Sequence, residues 1–273
     1  MSATSSSSTH NPVIDWPSGA AWNRPFLRFG HGGAGAHLPP NTLASLELAL
    51  GMGVDVVEFD VRPCRDALVL LHDDALAEFG GAPGLASERT LAELRGLPTG
   101  PDRQIPTFEA ALDMLRGRAL INVDLKGTGY EEAVVEMVAA KGMAGDVLYS
   151  SLYGGSLRRV RELAPMARIG LSYPEDRGNA GGNPRLRYVV RGALALMRLM
   201  LPLRIPGMMA GAGANAVMLY HKVASRQCVR TVQGAGGRVF TWTIDTPERM
   251  REVHALGVNG ITTNRPDLFA GLT

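Results

Sequence analysis

Short apolar runs alternate with longer segments of helical periodicity along most of the chain. The short runs have the composition of buried strands, and they fall at residues 26–30, 54–61, 67–71, 119–125, 147–150, 167–171, 216–220, 238–243 and 258–262. The helical segments fall at residues 41–50, 90–97, 107–116, 131–141, 156–163, 224–233 and 246–256. About eight strands precede a helix, which is typical of parallel strands with right-handed crossovers. This number favours a closed TIM (β/α)8 barrel over a doubly wound sheet.

The chain length and its first residues set the predicted domain boundaries. A length of 273 residues fits one barrel, since such barrels have about 250 residues. The opening stretch MSATSSSSTH is polar and has neither the charged nor the apolar region of a signal peptide. We therefore predict a flexible leader over residues 1–22, a single barrel domain over 23–273 and a cytoplasmic location.

Composition excludes several other classes of protein. Apolar residues make up 45% and charged residues 20%, which excludes extensive disorder. The formal net charge is only +2, and no basic stripe with interleaved aromatic residues is present, so a nucleic-acid partner is not expected. Two cysteines in the chain exclude a disulfide-stabilised scaffold and fit a reducing compartment.

Residues 186–209 form an apolar segment interrupted by arginines. No uninterrupted apolar run reaches the ~18 to 20 residues of a membrane span, so we expect a soluble chain. Pro202, Pro206 and Gly207 predict that a helix in this segment ends near residue 201. Two interpretations remain open: a helix packed on the barrel with its arginines reaching solvent, or a basic amphipathic element. The second would lie on anionic lipid as a peripheral membrane contact, or form a lid that admits a lipid-like phosphodiester.

Polar side chains collect where the predicted strands end, at His31, Glu58, Asp60, Arg62, His72, Asp124 and Lys126. Alternation along the second strand puts Glu58, Asp60 and Arg62 on one side and apolar residues on the other. Active sites of α/β barrels lie at the C-terminal ends of the strands. We therefore expect these groups to surround the mouth of the barrel.

Carboxylates among apolar neighbours indicate a cation. Buried carboxylates without a partner cost several kcal/mol, and a divalent cation removes that cost. Ligation by oxygen alone favours Ca²⁺ or Mg²⁺ over Zn²⁺, and two histidines beside the cation fit metal-assisted acid–base chemistry. Taken singly, each histidine is more simply explained as a structural hydrogen-bonding residue. Asp124 and Lys126 taken singly fit a site and a polar strand end equally well.

The order of these residues resembles the glycerophosphodiester phosphodiesterases. The family pattern is His-Arg-Gly, Pro-Glu-Asn-Thr, an alanine-rich helix, Glu-x-Asp-Val and His-Asp, and its counterparts here lie within residues 31–73. NVDLK at 122–126 is similar to the family's Asn-Ile-Glu-Ile-Lys. Further landmarks are Ser150-Ser151, Trp242-Thr243 and GVNGITTNRP at 257–266. The resemblance covers nearly the whole chain beyond the leader.

The resemblance implies a TIM barrel that hydrolyses a phosphodiester with a divalent cation, Ca²⁺ or Mg²⁺. The expected substrate is a glycerophosphodiester, which would give glycerol 3-phosphate and an alcohol. Carried over by position, the implied roles are metal ligation by Glu58, Asp60 and Asp124, acid–base catalysis by His31 and His72, phosphate neutralisation by Lys126, and pocket lining by Trp242.

Four positions depart from the family pattern: Gly32 replaces Arg, Pro40 replaces Glu, Asp124 replaces Glu and Asn264 replaces Asp. The missing arginine removes a bidentate phosphate contact. Loss of one transition-state donor costs about 2.7 to 4 kcal/mol. Arg62 or Arg65 is the candidate substitute, and Arg62 shares the parity of the strand's carboxylates.

Two alternatives accompany the leading hypothesis. Gly32 and the basic apolar segment 186–209 favour the same fold acting on a lysophospholipid or a phosphoinositide. The two departures at Gly32 and Pro40 favour a barrel that binds a phosphorylated ligand without catalysis. The presence of two histidines and three carboxylates favours an enzyme over that last hypothesis.

Overall fold

The structure is a computed structural model that describes residues 15–98, 103–174 and 187–272. Its strands are β1 (Leu27–Gly30), β2 (Val56–Pro63), β3 (Leu68–Leu70), β4 (Leu120–Leu125), β5 (Val147–Ser151), β6 (Arg168–Tyr173), β7 (Ala216–Tyr220), β8 (Arg238–Trp242) and β9 (Gly260–Thr263). Its α-helices are α1 (Leu43–Gly51), α2 (Leu91–Arg95), α3 (Phe108–Leu115), α4 (Glu131–Ala140), α5 (Gly154–Leu163), α6 (Arg187–Ala212), α7 (Arg226–Gly234) and α8 (Pro247–His254).

Eight parallel strands close into a barrel. The circle runs β1, β2, β4, β5, β6, β7, β8 and β9, and β1 pairs with both β2 and β9. The predicted TIM barrel is therefore confirmed. Strand β3, predicted at residues 67–71, is not part of the circle, because it pairs antiparallel with the end of β2. A short apolar run does not reveal the direction of its strand, and the eighth barrel strand is the closing β9.

The alternation of side chains along β2 separates two environments, as the sequence predicts. Val57 and Phe59 belong to the main core cluster, which lies between the barrel and its helices. Val56 points to the interior and joins a second cluster with Phe29 and Phe240. This inner cluster fills the barrel below the mouth, so Glu58 and Asp60, which share the parity of Val56, face the interior above it.

The segment before β1 packs against the inner cluster. Trp22 is 1% exposed and its indole Nε1 donates to the carbonyl oxygen of Gly145 at 3.1 Å. The ring of Trp16 packs edge-on against Trp22 and Phe240, with centroids 5.8 and 5.9 Å apart. The predicted boundary at residue 22 is therefore too late, because these two tryptophans bury apolar surface against the barrel. Residues 1–14 of the predicted leader lie outside the described residues.

Helix α6 runs through to Ala212, so the predicted end near residue 201 is wrong. Each proline inside a helix costs about 3 kcal/mol. Burial of Leu201, Ile205 and Met209, at about 1.5 to 3 kcal/mol each, offsets that cost. By length and composition alone, Tyr188–Ala212 also qualifies as a membrane span, although the buried part belongs to the barrel core. Leu186, at the start of the predicted segment, lies outside the described residues.

Candidate active site

A cavity of about 510 Å³ opens at the C-terminal ends of the barrel strands. It is lined by His31, Glu58, His72, Asn122, Asp124, Lys126, Ser150, Leu152, Ser172, Pro174, Met218, Trp242, Thr243 and Thr262. The structure thus brings together most of the polar strand-end residues singled out in the sequence. Asp60 lies directly behind this lining, and Arg62 does not reach it.

Three carboxylates form the negative centre of the site. Glu58, Asp60 and Asp124 are each less than a tenth exposed, and one oxygen from each lies within 4.8 Å of the others. Strand register brings them together, because β2 and β4 are adjacent and parallel and Asp60 is the partner of Asp124. Oxygens at this spacing can share one cation.

Lys126 balances part of this charge. Its Nζ lies 2.9 Å from Oδ1 of Asp60 and 2.5 Å from Oδ2 of Asp124. Burial opposes the charged form of Lys126, but the carboxylates outweigh it and raise the pKa of the ammonium above its ordinary value. Burial likewise disfavours ionised Asp60, yet Lys126 and the two histidines hold the pKa of that carboxyl well below its usual range.

Glu58 receives less compensation. Burial, together with the neighbouring Asp60 and Asp124, raises the pKa of Glu58 to about 7 against the opposing effects of His31 and Lys126. One ammonium faces three carboxylates, so full ionisation leaves two negative charges. The donor set and this charge excess fit a divalent cation.

Backbone and side-chain donors hold each carboxylate in place. Oε2 of Glu58 accepts from the backbone N–H of Gly32 at 2.8 Å. Nδ2 of Asn41 donates to Oδ2 of Asp60 at 2.7 Å, and its Oδ1 accepts from the Asp60 backbone at 3.0 Å. Oγ of Ser150 donates to Oδ1 of Asp124 at 2.6 Å. The sequence pattern assigns neither Asn41 nor Ser150 a role in the site, although both lie in the quoted landmarks.

A chain of hydrogen bonds orients His31. Its Nδ1 lies 2.7 Å from Oδ1 of Asn264, whose Nδ2 donates to Oδ2 of Asp245 at 2.8 Å. Because the amide oxygen faces the ring, Nδ1 of neutral His31 carries the proton and Nε2 carries the lone pair. Burial lowers the pKa of His31, but Glu58 and Asp60 outweigh it, so the pKa is raised overall.

His72 lines the same cavity but is more open to solvent. Its side chain is 55% exposed, and Nδ1 lies 2.8 Å from Oδ1 of Asp73. The Nε of Arg62 donates to the carbonyl oxygen of His72 at 2.8 Å. The structure therefore places Arg62 on the backbone of His72, outside the cavity where phosphate contact was predicted.

Two of the departures from the family pattern touch each other. Gly32 has φ +53°, and a Cβ built at this position would lie 2.6 Å from Cβ of Pro40. An arginine at position 32 would therefore strain the backbone and clash with Pro40. Lys126 is the one Lys or Arg among the described residues lining the cavity, so it is the cation available to a phosphate there.

The opposite wall of the cavity is largely apolar, formed by Leu152, Pro174, Met218 and Trp242. The indole Nε1 of Trp242 donates to the carbonyl oxygen of Met218 at 2.8 Å, and its ring packs on Tyr220 with centroids 5.5 Å apart. These contacts hold the indole at the wall of the cavity, where the family resemblance implies a pocket-lining role. One side of the cavity therefore carries the carboxylates and Lys126, and the opposite side is largely apolar.

Comparison with known proteins points to one family. A sequence model of the Glycerophosphoryl diester phosphodiesterase family matches residues 31–268. The chain is 26% identical to the glycerophosphodiester phosphodiesterase of Caldanaerobacter subterraneus subsp. tengcongensis, covering 90% of this chain and 97% of that protein. It is 30% identical to "Probable glycerophosphodiester phosphodiesterase 1" of Mycobacterium tuberculosis (strain ATCC 25618 / H37Rv), with coverage of 93% and 94%.

A solved structure shows the same fold. The Oleispira antarctica phosphodiesterase OLEI02445, in complex with the product sn-glycerol-3-phosphate, superposes with a TM-score of 0.69 at 23% identity. The alignment covers 90% of this chain and 96% of that one. The family match extends over most of the barrel, from the first histidine of the cavity to the segment after β9. This chain belongs to the glycerophosphoryl diester phosphodiesterase family and is a phosphoric diester hydrolase.

Proposed function

We propose that this enzyme hydrolyses a glycerophosphodiester to glycerol 3-phosphate and an alcohol, by acid–base catalysis from His31 and His72. The observation that carries the proposal is that His31, His72, Glu58, Asp124 and Lys126 line one cavity. Asp60 supports the group from behind through Lys126. This combination supplies a proton acceptor, a proton donor and positive charge for a phosphodiester.

We assign Glu58, Asp60 and Asp124 as ligands of a divalent cation, Ca²⁺ or Mg²⁺. Three carboxylates against one ammonium leave the charge excess that such a cation neutralises, and their oxygens are the ligands hard cations prefer. When bound, the cation supplies electrostatic stabilisation of the phosphate oxygens as negative charge develops there. Gly32, Asn41 and Ser150 keep the carboxylates aimed at one point through hydrogen bonds.

The side chains of the site have separate roles in the reaction. One histidine, neutral, accepts a proton from the attacking water or substrate hydroxyl, and the other, protonated, donates one to the leaving alcohol. Asn264 holds the tautomer of His31 through Nδ1, which leaves Nε2 for proton transfer. Lys126 carries a fixed positive charge next to the phosphate position, and Trp242 lines the side that receives an organic group.

Hydrolysis assays test these roles. Activity on glycerophosphocholine should disappear with EDTA, return with Ca²⁺ or Mg²⁺, and show a bell-shaped dependence on pH. Failure of every divalent cation to restore activity would contradict the metal assignment. A profile that is flat through neutral pH would contradict the two-histidine scheme.

Two single variants separate the acid from the base. His31→Ala and His72→Ala should each lower the rate on glycerophosphocholine by about 10²- to 10⁴-fold. A glycerophosphodiester with a p-nitrophenyl leaving group needs no proton donor, so the variant that lacks the acid should recover most of its activity on that substrate. Equal losses on both substrates in both variants would contradict a division of acid and base roles.

A further inference from the structure

The outer face of helix α6 is apolar, although it points away from the barrel. Leu196, Leu199 and Leu203 are 61%, 70% and 75% exposed, and their spacing puts them on one side of the helix. Leu201 and Ile205 are buried on the opposite side. A helix packed on a barrel normally presents polar residues to solvent, so a row of exposed leucines indicates a surface that meets something apolar.

All the charged residues of α6 are positive. Its sequence from 187 to 212 contains four arginines and no acidic residue. Arg191 and Arg204 are exposed, and Arg198 is partly exposed. At 100° per residue, Arg191 and Arg204 lie on either side of the leucine row rather than within it. Leucines flanked by arginines match the interface of an anionic phospholipid membrane, which takes apolar side chains between its headgroups and attracts positive charge.

The length of α6 places this face beside the mouth of the barrel. Its 26 residues span about 39 Å at 1.5 Å per residue, whereas the neighbouring α5 has 10 residues and α7 has 9. The C-terminal end of α6 leads directly into β7 at the bottom of the barrel. The extra length therefore lies towards the mouth, and residues 188–200 include no fully buried side chain.

The apolar half of the cavity lies on the same side. Pro174 at the end of β6 and Met218 on β7 line that wall, and α6 connects these two strands. A surface bound to α6 would thus lie next to the side of the cavity suited to an apolar or bulky alcohol. A second copy of the chain would bring like-charged arginines together, so an anionic surface fits the charge better than a dimer does.

We propose that the leucine row and arginines of α6 bind the surface of an anionic phospholipid membrane and hold the mouth of the barrel beside it. The helix lies on the surface rather than spanning the bilayer, because Leu201, Ile205 and Met209 hold its second half in the barrel core. This inference is independent of the proposed hydrolysis, since none of the α6 residues lines the cavity.

Sedimentation with vesicles tests the proposal on the full chain. The enzyme should sediment with mixed phosphatidylcholine–phosphatidylglycerol vesicles at low salt and much less with phosphatidylcholine alone. Leu196→Ser/Leu199→Ser/Leu203→Ser should abolish binding. Arg191→Gln/Arg204→Gln should weaken it by about fivefold per arginine, which corresponds to about 1 kcal/mol for each charge near the surface.

Matched controls use the same chemical changes elsewhere. Met166→Ser removes another exposed apolar side chain, and Arg230→Gln/Arg251→Gln removes two exposed arginines on α7 and α8; both should bind like the wild type. The α6 variants should still hydrolyse soluble glycerophosphocholine. This activity shows that they are folded and does not depend on binding to vesicles. Wild-type protein that stays in the supernatant would overturn the proposal, as would equal weakening by the controls. A stable dimer in light scattering that the leucine variant dissociates would assign the face to a second copy instead.

Discussion

The carboxylates at the base of strand β2 and those further along it are compensated in opposite ways. Before its first residue, Asp55 accepts hydrogen bonds from the backbone, Nε and Nη2 of Arg28 and pairs with Arg24. Burial would raise the pKa of Asp55, but the two arginines lower it overall. Three residues further along, inside the barrel, burial and adjacent carboxylates raise the pKa of Glu58 to about 7.

The difference separates a structural charge from a functional one. At the bottom of the barrel the charge of Asp55 is matched by Arg24 and Arg28, so nothing further is required there. At the mouth the carboxylates outnumber their one ammonium, and the fold stores an excess of negative charge. Such an uncompensated cluster in a cavity indicates a ligand of opposite charge.

The largest expected contrast is in activity. Asp124→Asn should lower kcat/KM by on the order of 10³-fold, because it removes a charge that binds the cation. Asp55→Asn makes the same chemical change at the bottom of the barrel. It should leave kcat/KM within about twofold, since Asp55 lies far below the mouth. Assays on glycerophosphocholine with saturating cation measure both. Equal losses of kcat/KM in the two variants would contradict the distinction between a structural Asp55 and functional carboxylates at the mouth.

Divalent cations should stabilise the folded protein through the carboxylates at the mouth and not through Asp55. The raised pKa of Glu58 means that, without a cation, its contribution to stability is greatest below about pH 4.5 and is lost as pH rises through about 7. Cation at 100 times its Kd should then add about 2.7 kcal/mol, and more at about pH 8 than at about pH 5.5, where Glu58 is protonated.

Thermal unfolding with EDTA or with Ca²⁺ or Mg²⁺ measures this effect. Glu58→Gln should reduce the cation-dependent increase in Tm and its pH dependence, whereas Asp55→Asn should keep both. An unchanged cation response in Glu58→Gln would remove that residue from the ligand set.

Asp55→Asn should instead lower the free energy of unfolding. The change weakens charge-assisted hydrogen bonds worth about 1.5 to 3 kcal/mol, and the partly exposed arginines reduce the loss to about 2 kcal/mol. Urea unfolding of Asp55→Asn beside wild type measures it. A variant as stable as wild type would show that the paired bottom end contributes little to folding.

The smallest expected effect concerns a histidine outside the cavity. Nδ1 of His221 accepts from Nε of Arg249 at 2.7 Å, and burial together with that guanidinium lowers the pKa of His221 to about 4. Its contribution to stability is present above about pH 6.5 and is lost as pH falls towards 4. Partial exposure limits this contribution to on the order of 1 kcal/mol.

His221→Gln, which keeps an acceptor for Arg249, should reduce the fall in Tm between about pH 7 and pH 5. An unaltered fall in Tm would show that other groups cause the sensitivity to acid.

Much of the fold and the site follows from sequence pattern. Alternation along β2 predicts which residues face the interior, and the position of strand ends predicts that Glu58 and Asp124 lie at the mouth. The direction of β3 and the length of α6 do not follow, because a short apolar run has no direction and a proline's cost depends on the packing around it. Likewise, the parity of Arg62 with Glu58 does not predict its contact with His72, since that contact depends on the antiparallel pairing of β2 with β3.

By itself, the sequence determines the repeated strand–helix units, the chemistry at the strand ends and the family. These depend on residue type and on spacing along the chain, which are local properties. Only the tertiary structure decides that Lys126 lies between two carboxylates, that Asn264 orients His31 and that Gly32 touches Pro40. The contacts of Lys126 with Asp60 and of His31 with Asn264 join separate segments, whose distances are set by closure of the barrel. Gly32 meets Pro40 because the loop between β1 and α1 folds back on itself.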